Sequence, residues 1–160
     1  MKSPLRYPGG KTRAIKHLLP HIPEGDICAP FMGGGSLELK LADDRKVYAY
    51  DAFYPLYNFW NCLLTDKVGF KGFEASIGLH KNEFLYLDPP YFLEAKSKLY
   101  GKNGDMHEGF DHKLLHSTLT NRQNWLLCYN DCEFIREHYG EYEIVSAAWA
   151  YGMNKSKQSN

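Results

Sequence analysis

Apolar residues in this chain follow two rhythms that alternate along its length. Three short unbroken runs, Ile27-Cys28-Ala29, Val47-Tyr48-Ala49-Tyr50 and Phe84-Leu85-Tyr86-Leu87, have the length and composition of strands buried on both faces. Between them the spacing widens to three and four. Residues 36–42 read as a helix with Leu37 and Leu41 on one face, and Pro55 opens another in which Leu56, Phe59, Trp60, Leu63 and Leu64 recur at helical spacing. The second half continues in kind: a helix over 111–119, a strand at 125–129, a helix over 132–139 and a last strand at 142–145. The stretch 65–82 shows neither rhythm clearly, and the reading places one short strand in it, at 73–77. Strands that alternate with helices are joined by crossovers, so the expected fold class is α/β, with a doubly wound, mainly parallel sheet.

In such sheets ligands bind beyond the carboxyl ends of the strands, so the residues that stop each run carry the interest. Phe84-Leu85-Tyr86-Leu87 runs into Asp88-Pro89-Pro90-Tyr91. Two consecutive prolines cannot continue a sheet, and they freeze the backbone at that point. Asp88 and the carbonyl of Pro89 offer hydrogen-bond acceptors, while Tyr91 offers a flat stacking face; an amino-substituted heterocycle such as adenine fits that set. The first run empties into Pro30-Phe31-Met32-Gly33-Gly34-Gly35-Ser36, a glycine-rich turn that lets a ligand approach the backbone closely. It is not a phosphate-binding Walker loop, since no Lys-Ser or Lys-Thr follows, nor does it have GxGxxG spacing. Asp51 closes the second run. A carboxylate there accepts ribose hydroxyls in nucleoside-binding sheets, or caps the helix that Pro55 opens, and the two roles are compatible. Near the start, Leu5-Arg6-Tyr7-Pro8-Gly9-Gly10-Lys11 cannot form a helix or a long strand and should be a loop presenting a ring and an ammonium group.

Length and charge narrow the classes. At 160 residues the chain is expected to form one catalytic domain, residues 1–153, with a polar tail at 154–160. Lys+Arg and Asp+Glu both number 19, so any nucleic-acid surface must be a local patch. The loop 92–109 supplies a candidate: Lys96, Lys98, Tyr100, Lys102 and Asn103 combine basic and aromatic groups suited to phosphates and an unpaired base, although a solvated loop has the same composition. No stretch reaches the roughly 20 apolar residues of a membrane span, which points to a soluble, cytoplasmic protein without membrane partners. The cysteines Cys28, Cys62, Cys128 and Cys132 lack metal-ligand spacing and are expected to be reduced and mostly buried, with no metal site.

Taken in order, the four segments resemble the Dam-like, D12 class (alpha group) of N6-adenine-specific DNA methyltransferases, from Arg6 to about Asn154. The resemblance implies a Rossmann-like, S-adenosylmethionine-dependent methyltransferase fold. It assigns Tyr7, Lys11, Pro30, Phe31, Gly33, Gly35, Asp51 and Asp88 to the cofactor and Asp88, Pro89, Pro90 and Tyr91 to catalysis. It implies double-stranded DNA as partner, with the target adenine flipped out, and a restriction-modification or phage setting. Three departures stand out. Ala29 occupies a position where the family commonly has an acid, only residues 52–87 separate Asp51 from Asp88 where the family usually inserts a target-recognition domain, and the family continues into a closing strand. The expected enzyme is therefore a compact form with weak or externally supplied sequence specificity, its last strand absent or contributed by a second copy or a partner subunit. Two alternatives stay open: methylation of amino groups in RNA or protein, and a non-catalytic cofactor- or DNA-binding module.

Overall fold

A computed structural model describes residues 2–92 and 109–147. Five strands form one sheet in the order β3-β2-β1-β4-β5, with every neighbouring pair parallel. They are β1 (Ile27–Ala29), β2 (Val47–Asp51), β3 (Val68–Phe70), β4 (Phe84–Leu87) and β5 (Trp125–Leu127). The helices are α1 (Ile15–Leu18), extended by a tight turn at Leu19–His21, then α2 (Ser36–Leu41), α3 (Tyr54–Leu64), α4 (Phe73–Leu79), α5 (His112–Thr120) and α6 (Glu133–Tyr139). This is the doubly wound α/β arrangement expected from the alternating rhythms. Its register is anchored where Ile27 pairs with Val47 on one side and with Phe84 on the other.

Strand alternation divides the core into two layers. Ile27 and Ala29 of β1, with Tyr86 of β4, pack against Ala14, Leu18, Ile22, Leu37 and Leu41 from α1, its flanking turns and α2. Cys28, Leu85 and Leu87 point the other way, onto Phe73 and Ile77 of α4, Leu115 and Leu119 of α5 and Tyr139 of α6. A third cluster seats Leu56 and Trp60 of α3 under Ala49 and Val68, with Met32 and Leu39 closing it. The spacing Ala14, Leu18, Ile22 is a helical stripe facing this layer.

Three expectations are corrected. The segment 73–77 is not a strand but the body of α4, because Phe73, Ser76 and Ile77 stand at helical spacing and bury one stripe; the strand lies ahead of it, at Val68–Phe70. Residues 142–145 form no strand among the described residues: Ile144 and Val145 are exposed, and Tyr142 instead packs its ring edge-on to Trp125 at 4.9 Å. An apolar run makes a strand only where another strand pairs with it, and none does there. Along α3 the apolar face is narrower than spacing implied, since Leu56 and Trp60 are buried while Phe59 and Leu63 are 37% and 50% exposed. Cys28 and Cys128 are buried thiols, Cys132 is partly buried and Cys62 lies in the open on α3. Among the described residues no helix is long and apolar enough to cross a membrane.

Candidate active site

Strand order decides where a ligand can sit. The chain lays β1, β2 and β3 outward in one direction, then returns to place β4 on the other side of β1 and continues to β5. Connections leaving β1 and β4 diverge, and the crevice between them is the switch point at which doubly wound sheets bind ligands. The glycine turn leaves β1 there and the double-proline turn leaves β4. Both open onto one cavity of about 390 Å³, lined by Tyr7, Lys11, Pro30, Phe31, Gly33, Gly35, Asp51, Asp88 and Pro90. Pro89 is fully buried behind them. Tyr91 stands at the side, its ring centroid 5.2 Å from the Lys11 ammonium nitrogen and 6.3 Å from the Tyr129 ring. Lys96, Lys98, Tyr100, Lys102 and Asn103 lie outside the described residues.

The glycine turn has a demanding backbone. Gly33 and Gly35 adopt left-handed φ values of +48° and +64°, which other residues reach only with strain. Its interior is crowded as well: a Cβ on Gly34 would come within 2.9 Å of Tyr7 Cβ, and one on Gly35 within 2.8 Å of Trp60 Cζ2. The N-terminal loop therefore lies directly on the turn. Gly33 N donates to Asp51 Oδ2 at 2.9 Å, and the indole Nε1 of buried Trp60 donates to Gly33 O at 2.9 Å. Asp51 Oδ1 accepts from Phe53 N at 2.9 Å, so this carboxylate ties the turn to the entry of α3 while lining the cavity. Burial raises the Asp51 carboxyl above the usual range, and its backbone N–H donors pull it back down.

Lys11 reaches Asp88 across the cavity floor. Its Nζ lies 2.5 Å from both Asp88 carboxylate oxygens and 3.0 Å from Gly9 O. The Lys11 side chain is 4% exposed and that of Asp88 19%, so this is a buried, charge-assisted contact. Burial pushes the Asp88 carboxyl above its usual range, with Lys11 opposing that rise. An acid, an ammonium and a ring sit together at the end of a buried strand, over a glycine turn that holds a second acid. The family model described as D12 class N6 adenine-specific DNA methyltransferase matches residues 7–77 and 65–153, two segments that overlap and together span most of the chain. The chain belongs to this family. No curated protein and no solved structure matches it.

As a D12 methyltransferase, the chain falls among enzymes that act on the N6 amino group of adenine in DNA. Whether its cavity suits a cationic methyl donor is a question of donor set. Among the described lining residues Lys11 is the one basic side chain, against Glu38, Asp51, Glu74, Asp88 and Asp111. A positively charged, nucleoside-like ligand fits: the excess acid favours the charge, the glycine turn leaves room for a flat group, and Asp51 can accept hydroxyls.

Three residues of this D12 methyltransferase site escaped the reading of the sequence. Glu38, in the first turn of α2, is 5% exposed and lines the cavity; burial raises its carboxyl to about 8. The signal was an acid placed three residues past the last glycine, among leucines. Trp60 holds the turn by a bond that helical spacing could not disclose. Asn130, just beyond β5, donates from Nδ2 to Phe92 O at 2.7 Å, and Phe92 stacks on Phe134 at 4.4 Å, which fixes the exit of the double-proline turn behind Tyr91.

Proposed function

We propose that this protein transfers a methyl group from S-adenosylmethionine to the N6 amino group of adenine in DNA, with weak or externally supplied sequence specificity. The single observation that carries the reading is the meeting of the glycine turn and the Lys11–Asp88 pair in one switch-point cavity. Tyr7, Pro30, Phe31, Gly33, Gly35 and Asp51 would hold the cofactor, which when bound supplies an electrophilic methyl group.

The remaining work falls to Asp88, Pro89, Pro90 and Tyr91. Adenine's amino nitrogen is a poor nucleophile because its lone pair is delocalised into the ring, and it gains reactivity when its hydrogens are held so that the nitrogen becomes pyramidal. Asp88 and the Pro89 carbonyl would accept those hydrogens. Lys11 keeps Asp88 oriented and anionic; each carboxylate oxygen has two lone pairs and gives only one to the ammonium. A carboxylate so held stabilises the positive charge that develops on the methylated nitrogen, and the proton can leave afterwards. Tyr91 would stack on the base, which must leave the duplex to reach this depth. Phosphate contacts would come from the segment 92–109, through Lys96, Lys98, Tyr100, Lys102 and Asn103.

Packing supports the weak specificity. Between Asp51 and Asp88 the chain forms α3, β3 and α4, whose Leu56, Trp60, Val68, Phe73 and Ile77 are committed to the core. These core elements account for the segment and no separate recognition domain stands among them, so discrimination would be slight or come from elsewhere.

The test is expression in a host that lacks adenine methylation, followed by analysis of N6-methyladenine in its DNA and mapping of the modified positions. Methyladenine should appear with the wild-type chain and vanish with Asp88→Ala. Soluble, folded wild-type protein that leaves the DNA unmodified while methylating RNA or protein extracts would reassign the substrate, and an Asp88→Ala variant of undiminished function would mark a binding module.

A further inference from the structure

Glu38 has no part in the reaction just described, yet its setting is that of a ligand group. Its carboxylate accepts from its own backbone N–H, and among the described residues no other side chain hydrogen-bonds to it. It is buried and opens into the cavity. A carboxylate withdrawn from bulk water with only its own backbone N–H as donor is costly to ionise, so the position suits a cation that arrives with the ligand. The charged and titratable groups facing it are Lys11 from the N-terminal loop, Tyr86 and Asp88 from β4 and its end, Asp51 from the end of β2 and Cys128 from beyond β5. Of these only Lys11 is a cation, and it is held by both oxygens of Asp88.

We propose that Glu38 is the charge-selecting residue of the cofactor site: its carboxylate meets the sulfonium charge of S-adenosylmethionine and makes the cavity prefer the charged donor to the neutral thioether product. The proposal rests on the reading of S-adenosylmethionine as cofactor. Before binding, burial keeps Glu38 protonated at neutral pH, its carboxyl titrating at about 8. A cation placed beside it favours the ionised form, so the O–H bond breaks, one proton passes to solvent, and the carboxylate remains to hold the charge. Methyl transfer removes that charge, the carboxyl takes a proton back, and the product loses its strongest electrostatic hold. Substrate uptake and product release are thereby biased by one acid.

Titration calorimetry with S-adenosylmethionine and S-adenosylhomocysteine, at pH 7 in two buffers of different ionisation enthalpy, tests this on the wild-type chain and Glu38→Gln. The wild type should release close to one proton on binding the sulfonium ligand and far less with the thioether. In Glu38→Gln that release should disappear and the preference for the sulfonium ligand should fall about ten-fold, with thioether affinity changing by less than about three-fold. An unchanged preference, or equal weakening of both ligands, would overturn the proposal. A second measurement needs no variant: between pH 6 and pH 7, below the range in which either ligand's amino group loses its proton, the ratio of the two affinities in the wild type should rise several-fold. A flat ratio would overturn it equally. A wild-type chain that binds neither ligand would instead remove the cofactor reading itself, and Glu38's role with it.

Discussion

Replacing Lys11 with methionine isolates the electrostatic centre of the site, because methionine preserves most of the buried stem and removes only the charge. In the wild type both Asp88 oxygens receive the ammonium at 2.5 Å, and neither side chain is more than slightly exposed. Taking one partner from a buried ion pair leaves an uncompensated charge and costs about 3–5 kcal/mol. The sign of the pH dependence follows from Asp88. Burial already raises its carboxyl in the folded state, and loss of Lys11 raises it further. A carboxyl that titrates higher folded than unfolded binds more protons when folded, so its contribution to stability falls as pH rises from the unfolded value of roughly 4 to the folded one. The Lys11→Met penalty should therefore be complete at pH 8 and at most half as large at pH 5, where Asp88 escapes by taking a proton. Urea unfolding followed by tryptophan fluorescence at both pH values measures it, since Trp60 is wholly buried. Lys11→Met/Asp88→Asn should recover most of the loss at pH 8. A Lys11→Met protein within about 1 kcal/mol of wild type at pH 8, or a penalty identical at the two pH values, would refute the account.

Gly35→Ala combines a left-handed backbone with a Cβ 2.8 Å from Trp60, and should cost about 1–3 kcal/mol in urea unfolding while weakening cofactor binding in calorimetry. Gly78→Ala, where a Cβ on α4 meets nothing within 4 Å, should instead raise stability by up to about 1 kcal/mol in the same titration; a loss there would contradict the helical placement of 73–79. Neutralising Lys96, Lys98 and Lys102 together should weaken duplex binding on every sequence and flatten the dependence of log affinity on log salt by roughly two to three, as read by fluorescence anisotropy; unchanged affinity at low salt would remove these lysines from the interface.

Several features needed nothing but the order of residues. Runs such as Phe84-Leu85-Tyr86-Leu87 are too short for helices and too apolar for exposed strands, so buried parallel strands followed from local composition alone. Prolines and glycines act through their own backbone restrictions, which is why Asp88-Pro89-Pro90-Tyr91 and Pro30 to Ser36 stood out as fixed turns before any neighbour was known. Pairing and burial are different in kind, since they depend on partners remote in the chain. Residues 142–145 have a strand's composition but no strand beside them, and Phe59 and Leu63 keep helical spacing while facing outward. The same reason hid the chemistry of the cavity. Lys11 is 77 positions from Asp88, and Glu38 resembles any surface acid of a short helix until the sheet order β3-β2-β1-β4-β5 folds it beneath both. Local composition and backbone restriction set which shapes could form and which side chains they would carry. Tertiary structure alone decided which charges would share one low-dielectric space, because burial and proximity are properties of the packed chain and not of any segment within it.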